Sequence, residues 1–242
     1  GIGAGGSGQG GIGAGGSSLG GSGAGGSGVD AGIDTGPPDT GQSVGTTPFA
    51  PGQLVITEIM ADSNVSSDDF GEWFELYNPS TTETYDLYGC ILNDTSNQDP
   101  IMQHIAVHPG DFVTMARFGT TPYGTTSGGF LPNYDYHTTV VAGTTLLDPM
   151  KDVKFSNSGD RVGITCGLAQ IDAVNFSTWT IGALVPHGRS YSLDPSHYNA
   201  VDNDIPDNWC TGTVAYTASD FATPLHTNTA CACMLLTTPC QF

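Results

Sequence analysis

From Gln53 onward, turn residues cut the chain into runs too short to be ordinary helices. Asn78-Pro79, His108-Pro109-Gly110, Ser127-Gly128-Gly129 and Asn157-Ser158-Gly159-Asp160 each punctuate the backbone. Between such signals lie LVITEIM, EWFELYN, YDLYGCIL, QHIAV, DFVTMARF, TTVVAGTTLL, DVKFS, RVGITC, QIDAVNF and RSYSL. None sustains a 3.6-residue apolar period. In EWFELYN, Trp73, Glu75 and Tyr77 fall on one side and Phe74 and Leu76 on the other, the alternation of a strand. Many short strands at this spacing predict an all-β sandwich or barrel, and a two-sheet β-sandwich fits best.

The first 32 residues cannot contribute to that core. They repeat a decade of the form G-[IS]-G-A-G-G-S and hold 17 of the 35 glycines. The period is not three and proline is absent there, which excludes a collagen helix. The segment is either a flexible spacer or an extended arm held by contacts, since glycine lets backbones approach closely. Ile2, Ile12, Leu19, Val29 and Ile33 recur through the glycine, and an inert spacer has no need of them. Residues 33–52 carry Pro37, Pro38, Pro48 and Pro51 and read as a stiff connector. The predicted organisation is an arm over 1–32, the connector, a sandwich over 53–231 and a cysteine-containing tail over 232–242.

Several pieces, taken in order, resemble the lamin-tail domain family. They are LVITEIMADS, GEWFELYNPS and YDLYGCIL, then VHPGDFVTMAR, KFSNSGDRVGIT and QIDAVNF. The stretch GRSYSLDP, DNDIPDNWC and DFATP is similar to a tail of bacterial secreted members. The resemblance implies an immunoglobulin-like sandwich, here behind a glycine-rich extended arm. It implies a fold more than a function: members serve in the nuclear lamina of animals, or are exported by bacteria, alone or joined to nucleases. The chain departs from the pattern twice. Cys90 stands where the family usually has tryptophan, and Ala222-Thr223-Pro224-Leu225 replaces a usual G-T-P-G. A lamina role is excluded by the missing coiled-coil rod and by the cysteines.

The formal net charge is −19, with Lys+Arg 5 against Asp+Glu 24. Such a chain repels duplex nucleic acid and anionic membranes. No stretch is long and apolar enough to span a bilayer. The six cysteines, Cys90, Cys166, Cys210, Cys231, Cys233 and Cys240, lack C-x-x-C knuckles and read as up to three disulfides of a secreted protein. Fifteen connectivities are possible. Cys90 and Cys166 each stand alone in strand-like segments, and pairing them would pin the sandwich; the other four would then share two local bonds. Intermolecular pairing is the alternative. The start at Gly1 reads as a processed export product, the alternative being that upstream residues are not included. Sequons occur at Asn64, Asn93 and Asn175.

Candidate chemistry is sparse. Glu58, Glu72 and Glu75 can form a carboxylate cluster for a metal or for acid–base work, but structural hydrogen bonding is the stronger reading. Asp202, Asn203, Asp204 and Asp207 offer oxygen ligands for Ca²⁺, without the glycine and closing glutamate of an EF-hand. Asp62, Asp68 and Asp69 form a weaker acidic group. His104 and His108 read as surface residues, and no nucleophile elbow is present. Tyr123, Tyr134 and Tyr136 can form a binding platform or pack over the sheet end. The expected protein is not an enzyme and needs no cofactor beyond a possible Ca²⁺. It is an exported subunit of an extracellular or cell-surface filament, a homopolymer joined by its arm. The alternative is a surface-tethered module for Ca²⁺-dependent glycan or matrix adhesion.

Overall fold

A computed structural model describes residues 49–66, 68–117, 129–136, 138–141, 144–147, 153–179 and 187–231. The chain divides into two units, Gly1–Gln42 and Ser43–Phe242. The first unit lies outside the described residues, and with it the five recurring apolar residues of the arm.

The elements follow in chain order. They are β1 (Val55–Met60), a single helical turn α1 (Asp68–Gly71), β2 (Trp73–Tyr77), β3 (Tyr85–Asp86), β4 (Ile91–Asn93) and β5 (Gln98–Pro100). Then come β6 (Ala106–Val107), β7 (Phe112–Ala116), β8 (Tyr134–Asp135), β9 (Thr138–Val141), β10 (Thr144–Leu147), β11 (Arg161–Cys166) and β12 (Ala169–Asn175). β13 (Tyr191–Leu193) and β14 (Trp209–Thr211) follow, with 3-10 turns at Pro195–His197, Asp202–Asp204 and Pro206–Asn208 between them. The six-stranded sheet has the order β14-β13-β1-β2-β7-β8, and the four-stranded sheet the order β12-β11-β4-β5. Two-stranded ribbons, β3-β6 and β9-β10, complete the all-β fold.

Alternation decides what each face of the larger sheet meets. Phe74 and Leu76 of β2 turn inward with Ile59, Met115, Tyr191 and Leu193, into one cluster with Leu92, Val162 and Ile164 of the smaller sheet and Phe176 just after β12. Trp73 turns outward and packs with Met60, Ala116 and Ala222 under Phe130 and Tyr216. Cys90 and Cys166 form a disulfide inside the inner cluster, so the cysteine that replaces the family's tryptophan is covalently tied into the core. A second disulfide joins Cys210 to Cys231. Cys233 and Cys240 lie outside the described residues.

Side-chain carboxyls replace strand partners where the ladders stop. DVKFS reads as a strand, yet its described residues 153–156 form no ladder. The amide of Lys154 donates to Asp94 (2.9 Å), that of Phe155 to Glu72 (2.9 Å) and that of Ser156 to Asp160 (3.1 Å). Val153 and Phe155 are therefore buried without a sheet, because the neighbouring N–H groups have other acceptors. β1 carries a register shift between Ile56 and Glu58. There the Ile56 amide donates to Asp172 Oδ2 (2.7 Å), and the Ile56 carbonyl accepts from Asn203 Nδ2 (3.2 Å).

Candidate functional site

Glu58 and Glu75 are cross-strand partners on β1 and β2, and both are wholly buried. They lie on the outer face of the six-stranded sheet, under residues 223–231. The geometry follows from the sequence. Placed by the bulge, Glu58 shares a face with Met60, and period-two alternation puts Glu75 beside Trp73.

The donors around the pair differ in number. Glu58 Oε1 accepts from the hydroxyls of Ser190 and Ser192, both at 2.7 Å. The Thr223 amide reaches both Glu58 oxygens at 3.1 Å, and the Thr223 hydroxyl reaches both at 3.3 Å. Glu75 accepts only from the Thr57 hydroxyl (3.0 Å) and the Leu225 amide (2.6 Å). Burial pushes the Glu58 carboxyl up to about 7, against the four hydrogen-bonding contacts that favour its charge. Burial, with Glu58 alongside, holds the Glu75 carboxyl well above its usual range. By donor count Glu58 is the first of the pair to lose its proton, and Glu75 the one that keeps it. Inward-pointing N–H and O–H groups suit an anion here, and they argue against a cation site.

The covering strap is itself built from satisfied polar contacts. Asn228 Nδ2 donates to the carbonyls of Thr57 (2.7 Å) and Leu193 (3.0 Å), so one amide fills a gap between β1 and β13. The Asn228 amide donates to the Tyr198 hydroxyl (2.8 Å), and the Cys231 amide to Asp194 (2.8 Å). Upstream, Asp220 accepts from the Ser63 hydroxyl (2.7 Å) and the Asn64 amide (2.6 Å). Arg189 lies over the Phe221 ring at 4.3 Å.

The third glutamate sits elsewhere. Glu72 holds the Phe155 amide and lies 3.8 Å from the buried Arg117 guanidinium, whose Nη1 donates to the Val153 carbonyl. The structure thus brings Glu58 and Glu75 together and leaves Glu72 to a separate ion pair.

The remaining candidates fall out differently. The proposed calcium loop does not converge. Asn203 turns inward, donating to Asp172 Oδ2 at 2.6 Å, while Asp202 turns to Asn199 and His197. Asp204 and Asp207 are exposed. Among the described residues no group of three or more His, Cys, Asp or Glu side chains is arranged to hold a metal. Of the two readings of the tyrosines, Tyr134 and Tyr136 follow the packing one. Tyr134 and Tyr136 are buried, because β8 pairs with β7 and carries both into the fold. Tyr123 lies outside the described residues. His104 is exposed and stacks on Tyr88 at 4.4 Å, with Nδ1 2.6 Å from Asp86. His108 is also exposed, beside the Thr84 hydroxyl. Of the three sequons, Asn64 and Asn175 are exposed and Asn93 is buried in β4. The strap had one sequence signal that composition could not reveal: the departure at Leu225 from a usual glycine.

Comparison with known families decides the class, for the Lamin Tail Domain profile matches residues 47–178. The chain belongs to the lamin tail domain family. No curated protein and no solved structure matches it. The sandwich of this lamin tail domain extends past the matched span, because β13 pairs with β1 and β14 with β13 in the larger sheet. The family is a non-catalytic, immunoglobulin-like fold of structural and binding modules. Its two disulfides here point to a non-cytoplasmic location, and among the described residues no helix is long and apolar enough to cross a membrane.

Proposed function

We propose that this chain is an exported structural protein. Its lamin tail domain is the repeating unit of an extracellular or cell-surface filament, and its glycine-rich arm docks on a neighbouring copy. The supporting observation is the apolar series Ile2, Ile12, Leu19, Val29 and Ile33, set in a glycine–serine segment ahead of a disulfide-pinned sandwich. An arm with a register has use for such residues, and a head-to-tail contact need not close into a ring. Glu58, Glu72, Glu75 and Asp172 and the four described cysteines are engaged in holding the fold, which fits a building unit.

Negative-stain microscopy of the full chain and of a chain lacking residues 1–32 tests this. Regular fibres that require the arm are expected. Fibres that persist without the arm, or monodisperse particles in both samples, overturn the reading. The second reading, a surface-tethered module for glycan or matrix with the arm as spacer, draws on the exposed Tyr88–His104 stack. Saccharide binding that is lost in Tyr88→Ala would favour it.

A further inference from the structure

The strap over residues 223–231 covers two carboxyls that share one water-excluded space with no counter-charge. Every group bonded to Glu58 or Glu75 is a neutral hydroxyl or amide. Of the basic groups on the surrounding elements, the Arg189 guanidinium donates to the Gly212 carbonyl and lies over the Phe221 ring, and His197 pairs with Asp202, so neither bonds to the two carboxyls. Tyr198, whose hydroxyl holds the strap at Asn228, feels Glu75, Glu58 and Tyr77, and Tyr216 on the adjoining segment feels Asp220 and Glu58. His226, on the strap itself, is exposed. A second negative charge beside the first therefore has no bonded cation to offset it.

A separate observation points to the same segment. Leu225 is the one described non-glycine residue with positive φ, at 68°. Its backbone is held in the left-handed region while its amide points at Glu75. Strain of this kind persists only where surrounding contacts enforce it, and it is released when they part.

We propose that residues 223–231 form a proton-controlled clasp, closed while the Glu58–Glu75 pair keeps a proton and opened when both carboxyls are charged. The Cys210–Cys231 disulfide keeps the open strap attached to β14. Opening hydrates both carboxyls and frees Leu225. This device is independent of whether the arm polymerises the protein.

The direction follows from linkage. The closed form binds protons more tightly than the open form, whose carboxyls titrate near about 4.3. The opening constant therefore rises by about tenfold per pH unit for each proton released. The rise begins near that value and stops for Glu58 at about 7. The clasp is tightest in acid and loosens toward neutral pH.

Hydrogen exchange of the full-length, oxidised chain tests this at pH 5, 6, 7 and 8, corrected for intrinsic exchange rates. Protection of the 223–231 amides is expected to fall by at least about tenfold per pH unit between pH 5 and 7. In Glu75→Gln that slope should be at most half as steep, with protection at pH 8 raised at least about tenfold. Wild-type protection that is flat from pH 5 to 8, or an unchanged slope in Glu75→Gln, overturns the clasp. If Glu75→Gln does not fold, carboxyl ¹³C titration of the wild type decides. Titration of either Glu58 or Glu75 above pH 6 supports the clasp, and titration of both below it overturns the clasp.

Discussion

The two faces of the six-stranded sheet are both dry and are held by different physics. The inner face is closed by apolar area, with Phe74 against Phe155 and Phe176 against Tyr191, and by the Cys90–Cys166 bond. At its centre the outer face is closed by hydrogen bonds to two glutamates, with the apolar group around Trp73 to one side. Burial of apolar surface does not depend on pH, whereas a buried carboxyl does. One sheet thus carries a permanent seal and a conditional one.

The largest effect should come from the permanent side. Replacing Cys90 and Cys166 together by alanine removes a cross-link between residues 76 apart in sequence. The chain-entropy relation puts the loss at about 4–5 kcal/mol. Urea unfolding at pH 5 and pH 8 should show the same loss at both. A loss that varies strongly with pH would break the distinction between the faces.

Next comes the pH dependence of the intact protein. Glu58 is raised to about 7 and Asp172 to about 6, each mainly by burial. A raised folded-state value means the native state holds protons that the unfolded chain has released. Their contribution is complete below about pH 4. It is lost as pH rises to about 7, a fall on the order of a few kcal/mol. Denaturation midpoints measured from pH 4.5 to 8 should decline throughout, less steeply above about pH 7, where Glu75 alone still holds its proton. Glu58→Gln should flatten the part of the curve nearest neutrality.

A smaller effect sharpens the comparison on the strap alone. Asn228→Ala leaves the carbonyls of Thr57 and Leu193 without their donor. The expected cost is about 1–3 kcal/mol, read by thermal unfolding, with strap amides losing protection first. The smallest change has the opposite sign. Leu225→Gly relieves the positive φ and adds backbone freedom to the unfolded chain. A net gain of about 0.5 kcal/mol is expected in the same unfolding assay.

Much of the sandwich was legible. The alternation in EWFELYN separates Trp73 from Phe74, and the two side chains do enter different clusters. The ordered family motifs point to the lamin tail domain that the profile match shows. What escaped was whatever depended on partners distant in sequence. DVKFS has the composition of a strand, but Asp94, Glu72 and Asp160 take the hydrogen bonds a neighbour would have taken. Asn203 sits in an acidic loop that resembles a calcium site, yet its amide is used to satisfy Ile56 and Asp172 across the sandwich. The burial of Tyr134 and Tyr136 comes from a parallel pairing with β7 that no local pattern announces. The strap lacks periodicity because its order comes from the groups beneath it.

The Cys90–Cys166 bond also has a mechanical meaning. A chain that transmits tension lengthens when a domain gives way, and the gain is set by how much backbone can pay out. The residues between the two cysteines, 76 apart in sequence, are short-circuited by the bond. About 250 Å of extension is thereby withheld even after the sheets have parted. Under load, this sandwich would give up less length than the same fold without the bond.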